Sequence, residues 1–131
     1  MGMSPAETSL LRQVNVTRAH FGLAPFRPDA RLEAAARSHS REMLVTNTFA
    51  HGAFAGRMAR FDVRGALAGE NLAWGTGSRA SARAIVQAWL ASTEHRANLL
   101  RPSFTRIGIG SLSGAFQGSR AARVVTADFA G

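Results

Sequence analysis

The chain contains no cysteine and no lysine. The first absence excludes disulfides and any thiolate metal site. It leaves the redox compartment open, since secreted domains with adequate cores need no bridges. The second absence means that the formal charge of +8 rests wholly on arginine. No apolar run approaches the ~20 residues needed to cross a membrane. No charged-then-hydrophobic leader opens the chain; MGMSPAE reads as a start joined to a domain, so a leader or a larger parent is expected to have been trimmed away. Also missing are a GxSxG elbow, an HExxH helix and a glycine pattern that would cradle phosphate.

What is present suits one globular domain, taken as residues 1–131. A chain of this size buries roughly two-thirds of its unfolded surface, enough for a core without staples. The arginines form no run and are spread over every segment. They lack the interleaved aromatics of a single-strand-binding platform, which argues against nucleic acid. Their plain reading is a solvated surface, and an anionic partner is the alternative. Arg57, Arg60 and Arg64, at helical spacing, are the best candidates for such a stripe.

Ser4-Pro5-Ala6-Glu7 predicts a helix start, with Ser as cap, Pro at the first helical position and Glu7 closing a capping box. Leu10, Leu11 and Val14 form its apolar face and Gly22 its stop. Leu23 to Pro28 reads as a connector. Asp29 caps a second helix with Leu32, Ala35, Ala36, His39 and Met43 facing inward, fading at Val45 to Thr48. A short helix is expected over about Gly56 to Val63, an extended ENLAW ending at Gly75, and a third long helix from Ser78 or Ser81. On that helix Ile85, Ala88, Trp89 and Ser92 lie on related faces. Ser92-Thr93 caps a further turn, and Pro102 ends the helical region. Phe104 to Leu112 and Ala121 to Phe129 alternate as an antiparallel hairpin around a Gly/Ser-rich loop. Helices first and strands last make an α+β domain with helices on both faces of a small sheet.

Three side chains stand outside the apolar stripes, each in a polar-aromatic knot: His51 in NTFAHG, Glu70 in GENLAWG and His95 in WLASTEHRANLL. Two imidazoles and a carboxylate are the ligand set of many catalytic zinc sites. The same three could share a proton network with no metal. Each also has a plainer reading: His51 as a surface loop residue, Glu70 as a cap or a salt bridge to arginine, His95 as a helix-end residue. A carboxylate entering an apolar segment is costly to bury unless paired or bound to a cation. His20 and His39, at helical spacing, read as scaffold. Ser92, three residues before His95, reads as a cap rather than half of a Ser/His pair.

The segment Asn15 to Pro25, SHSREM, FAH at 49–51, GENLA at 69–73, WLASTEHRANLL, FTRIGIG at 104–110 and VVTADF arrive in order. The set resembles a bacterial SCP-like member of the CAP superfamily, which groups cysteine-rich secretory proteins, antigen 5 and pathogenesis-related 1 proteins. The likeness runs from Ser4 to Phe129. It implies a three-layer α-β-α sandwich with a small central antiparallel sheet, and an extracellular or periplasmic setting. It also implies a large surface cleft lined by two histidines and two acids, where several members bind a divalent cation. His51 takes the place of the first histidine, Glu70 that of the acid in the GEN motif, and His95 that of the second histidine. Where the second acid follows a tryptophan in the family, this chain has Ser92 after Trp89; Glu94 is close in sequence. Phe49, Asn71, Trp74, Ser92 and Glu94 are the expected cleft lining, with Phe54 a further apolar wall. One carboxylate fewer implies weak binding of Zn2+ or another divalent cation, fading as the imidazoles protonate below about 6.5.

Three functional readings are open. The first is a secreted binding or interaction module whose cleft holds a cation and a lipid, a peptide or a cell-wall component. The second is a protease-like hydrolase, with water activated by a cation on His51, Glu70 and His95, or by Glu70 itself as general base. The third is a polyanion binder acting through the arginine surface.

Overall fold

The computed structural model describes residues 2–131, and three of its helices start where cap chemistry puts them. Ser4 Oγ accepts from Glu7 N while Glu7 Oε1 accepts from Ser4 N at 2.9 Å, the reciprocal box that opens α1 (Pro5–His20). Asp29 accepts from the amides of Arg31 and Leu32 to start α2 (Ala30–Thr46), which ends on Asn47 in the left-handed region. The inward set expected of α2 is buried, and Ser40 is buried with it. Helix α3 (Phe54–Arg60) begins without a side-chain cap. Ser81 caps α4 (Ala82–Leu90) after a 3-10 turn over Gly77–Ala80, and α5 spans Thr93–Leu99. Val86, not Ala88, joins Ile85 and Trp89 on the buried face of α4.

The closing alternation folds as β3 (Arg106–Phe116) and β4 (Ser119–Ala130). Both strands run further than expected, because the Gly/Ser-rich stretch continues the ladder. The turn is only Gln117 and Gly118, both at positive φ (50° and 82°), which matches the twist of a hairpin. The ENLAW segment lies in β2 (Ala68–Gly75), antiparallel to β4. The connector before α2 adds a two-residue strand β1 (Arg27–Pro28) parallel to β3. The sheet is therefore mixed, in the order β1-β3-β4-β2, rather than wholly antiparallel.

Period-two alternation divides the layers. Ile107, Ile109, Val125, Ala127 and Phe129 pack against Leu10 and Val14 of α1, Ile85, Val86 and Trp89 of α4, and Leu99 of α5. The opposite face meets α2 and α3, with Val124 and Leu72 against Met43, and Ala130 against Leu32, Ala35 and Met58. Helix α2 lies directly on β3. A Cβ at Gly108 or Gly110 would run into the backbone of Leu32 and Glu33 or of Ala36 and Arg37, so the GIG of FTRIGIG is a packing requirement. Helices on both faces complete the α-β-α sandwich.

Side chains plug the exposed backbone at both edges. Beyond β1, the N–H of Ser111 on β3 donates to Glu7 Oε2 at 3.0 Å, and the same carboxylate holds Arg37 of α2. On β2, the carbonyls of Glu70 and Leu72 accept from Asn98 Nδ2 (3.2 Å) and Trp89 Nε1 (2.9 Å). Such plugs deny the edge to another chain. The second pair also fixes α4 and α5 against the strand that carries Glu70.

Candidate functional site

Glu70, Leu72 and Trp74 alternate onto the face of β2 turned toward α2 and α3. Only 7% of Glu70 is exposed, so its charge needs partners. His51, in the loop between α2 and α3, places Nδ1 2.7 Å from Glu70 Oε1. Arg57 of α3 donates from Nη2 to Glu70 Oε2 and from Nη1 to the His51 carbonyl at 3.2 Å. One guanidinium thus fixes both the carboxylate and the loop that carries the imidazole. His39, buried as expected of scaffold, is wired into this network. Its Nε2 donates to the Ala50 carbonyl at 2.7 Å, and its Nδ1 lies 3.0 Å from Arg57 Nη1 and 3.1 Å from Glu42 Oε1.

The arginine stripe does not form. Arg57 turns inward, Arg60 donates to Ser38 Oγ at 2.7 Å, and Arg64 lies beyond the end of α3, paired with Asp62. The cost of a lone buried carboxylate explains the inward turn: Glu70 needs a cation, and Arg57 is within reach.

Asp128 on β4 sits opposite Glu70 in the strand register and is completely buried. As a carboxylate it would have both oxygens buried with no donor to meet. As a neutral acid it supplies the hydrogen itself, and Glu70 accepts it. Burial, then the hydrogen bond and charge of Glu70, push Asp128 well above the ordinary carboxylate range, with Arg57 opposing. Burial pushes Glu70 up too, but hydrogen bonds from Asp128 and His51 and the charge of Arg57 outweigh it and hold Glu70 below its ordinary range. The two carboxyls share one proton and titrate as a pair. Sequence reasoning passed over Asp128; the available signal was an acid at an inward position of VVTADF, in phase with Val124, Thr126 and Ala130.

The other wall comes from the opposite layer, around the β2 edge. Asn71 points away from Glu70 and donates to the His95 carbonyl at 3.0 Å, while its Oδ1 accepts from Asn98 at 2.9 Å. Ser92 stands at the N-cap position of α5 but caps nothing. Its Oγ lies 2.9 Å from His95 Nδ1, so the expected cap is instead a partner of the imidazole. Burial, then the charge of His51, lower the pKa of His95, with Glu94 opposing. Glu94 itself is exposed and forms no ion pair among the described residues.

Further along the face that carries Glu70, Phe116 is buried between two half-exposed rings. Trp74 meets it edge-on at 5.5 Å and Phe49 at 6.5 Å. Phe54 is partly buried against Met58 and packs into the core at the start of α3. A cavity of about 140 Å³ lies behind the network, lined by Ser38, His39, Glu42, Arg57 and Arg60 rather than by His51 or His95.

A divalent cation would need lone pairs that this network has not already used. Both Glu70 oxygens are engaged, and no group of three His, Asp or Glu side chains is disposed to hold a metal among the described residues. The Nε2 atoms of His51 and His95 remain uncommitted, since each ring is oriented through Nδ1. A ligating histidine held through its other nitrogen by a carboxylate is a common arrangement around metals.

Comparison with known proteins agrees with this architecture. The chain is 34% identical over 113 residues to the uncharacterized protein YkwD of Bacillus subtilis, and 33% identical over 110 residues to that organism's uncharacterized membrane protein YlbC. It covers 43% and 31% of those relatives, and they cover 82% and 80% of it. An extracellular SCP-domain protein of Bacillus anthracis superposes over 99% of this chain and 44% of its own, with a TM-score of 0.76 and 28% identity. An outer surface protein of Borrelia burgdorferi gives the same TM-score over 98% of this chain and 95% of its own, at 21% identity, a likeness of fold. Residues 11–129 match the cysteine-rich secretory protein family as a whole. This cysteine-free chain belongs to the CAP, or cysteine-rich secretory protein, family.

Proposed function

We propose that the chain is a binding module that works outside the cell, taking its ligand at the β2 edge, where His51 lies against Glu70 and the backbone of His95 against Asn71. A divalent cation on the two free Nε2 atoms anchors one end of the ligand. The half-exposed rings of Phe49 and Trp74 offer an apolar wall for a lipid or peptide chain. The observation that carries this reading is the orientation of both imidazoles through Nδ1, by Glu70 at 2.7 Å and by Ser92 at 2.9 Å. The extracellular setting is supported by the Bacillus anthracis protein, which is described as extracellular.

The same geometry disfavours a hydrolase. Glu70, with both oxygens engaged and its pKa held low, is a poor general base. Polyanion binding loses its best candidate with the inward turn of Arg57.

Calorimetric titration with Zn2+ at pH 7 tests the proposal. Wild type is expected to bind weakly and saturably, and the double variant His51→Ala, His95→Ala to bind at least tenfold more weakly. Binding fades as pH falls, because protonated imidazole offers no lone pair. The lowered pKa of His95 keeps that ring available to below its ordinary 6.5. Equal affinities in the two proteins would sink the cation. Turnover of an ester or casein that disappears in Glu70→Gln would favour the hydrolase instead.

A further inference from the structure

The chain's most buried arginine has no acid to answer it. Arg18, at the C-terminal end of α1, is 2% exposed. Its Nε donates to the Ala24 carbonyl at 2.7 Å, its Nη1 to those of Leu99 (2.8 Å) and Arg101 (3.2 Å), and its Nη2 to that of Phe104 (3.4 Å). The side chain lies over the Phe26 ring, 3.8 Å from its centroid. These bonds tie the end of α1 to the passage from α5 into β3. They are all to neutral carbonyls, so they satisfy hydrogen bonding without neutralising charge. Burial lowers the Arg18 pKa and no carboxylate acts the other way. An uncompensated buried charge is among the costliest features a core can carry.

The neighbourhood repeats the pattern. A cavity of about 260 Å³ opens beside Arg18 at the β1 edge of the sheet, walled by Pro25, Pro102 and Phe104 and lined also by the exposed Arg27. Arg101 stacks over Phe104 at 5.0 Å and Arg96 over Phe21 at 5.0 Å. None of Arg18, Arg27, Arg96 and Arg101 has an acidic partner within ion-pair distance among the described residues. A guanidinium carries five N–H groups and the carbonyls take four from Arg18, so one on Nη2 is spare. That nitrogen reaches toward Phe104, which walls the cavity.

We propose that this cavity is a second binding site, for the phosphoryl group of a small or polymer-borne phosphate, held between Arg18 and Arg27. Two guanidiniums match a phosphate dianion in charge, and arginine forks suit its oxygens. The volume lies just under the ~300 Å³ at which whole-ligand pockets begin, so the site grips a headgroup rather than an entire molecule. His51 and His95 lie against β2, at the opposite edge of the sheet, so this cavity is separate from the site proposed for them.

Calorimetry with inorganic phosphate at constant ionic strength is the first arm of the test, and co-sedimentation with phosphatidylglycerol vesicles the second. The variants are Arg27→Gln, which removes an exposed side chain and spares the fold, and Arg83→Gln on α4 as a charge-matched control. Saturable phosphate binding, weakened about tenfold or more in Arg27→Gln and unchanged in Arg83→Gln, is expected from loss of one charge-assisted contact. Vesicle capture with the same dependence would support the site with a lipid headgroup as the source of phosphate. Phosphate binding without capture would support it with a soluble or polymeric source. Absence of Arg27-dependent binding in both arms, or equal losses in the two variants, would overturn it.

Discussion

Replacing Asp128 with Asn is expected to be nearly neutral, while replacing its neighbour Glu70 with Gln is expected to be severe. Both carboxyls are buried and directly opposed on β2 and β4, so an argument from burial alone would treat them alike. The proton makes the difference. Asn has the shape of a neutral carboxylic acid, and its amide N–H can donate to Glu70 as Asp128 does, so at about pH 4, before the Asp128 linkage sets in, the change costs within about 1 kcal/mol. Glu70→Gln removes the one carboxylate that pairs with Arg57 among the described residues, and Arg57 is 7% exposed, so the change costs ~3–5 kcal/mol. At about 4 °C per kcal/mol for a domain of this size, Tm falls by roughly 12–20 °C in one variant and by under about 4 °C in the other. Thermal and urea unfolding followed by circular dichroism read both. The pH dependence supplies a second check. Asp128 has a raised folded pKa, so its contribution is whole below its ordinary 3.8 and is lost as pH rises toward the folded value. The stability of wild type relative to Asp128→Asn therefore falls as pH climbs from about 4. If Asp128→Asn is as damaging as Glu70→Gln, or the relative stability rises over that range, the shared proton is refuted.

Two further expectations concern the scaffold. Gly110→Ala places a methyl against the backbone of Ala36 and Arg37 and costs about 3 kcal/mol or more in denaturant unfolding. Gly118→Ala, where nothing lies within 4 Å, costs only the ~1–2 kcal/mol of a positive φ, so equal losses would show that α2 does not press on β3. Glu7→Gln costs about 2–3 kcal/mol at pH 7, because the carboxylate joins Arg37, Ser4 N and Ser111 N. Burial raises the Glu7 pKa, but those bonds lower it further, so its stabilisation is present above the ordinary 4.5 and is lost as pH falls through the folded value. The gap between wild type and Glu7→Gln accordingly narrows from about pH 4.5 downward in acid titrations; a constant gap would contradict the ion pair.

Features set by neighbours along the chain were legible in it. Ser4, Pro5 and Glu7 specify the start of α1 within a single turn, Asp29 does the same for α2, and alternation exposes the hairpin. The polar knots around His51, Glu70 and His95 stood out because they interrupt apolar periodicity, and their order along the chain points to the family. The two-residue β1 was hidden in a proline-containing connector, because it exists only as a pairing with β3. Ser92 carries the signature of a cap, yet the His95 ring takes its hydroxyl instead.

The partners of Glu70 lay beyond sequence reasoning. Arg57 has the helical spacing of a solvated stripe, and only the docking of α3 beside β2 turns it toward a buried carboxylate. Asp128 acquires its role from strand register: a slip of one residue would send it to the opposite face and leave Glu70 facing another side chain. Local propensity and spacing determined which elements form and which residues interrupt them. Tertiary packing alone decided which charges meet, because the cost of burying a charge depends on groups that the chain brings together only after it has folded.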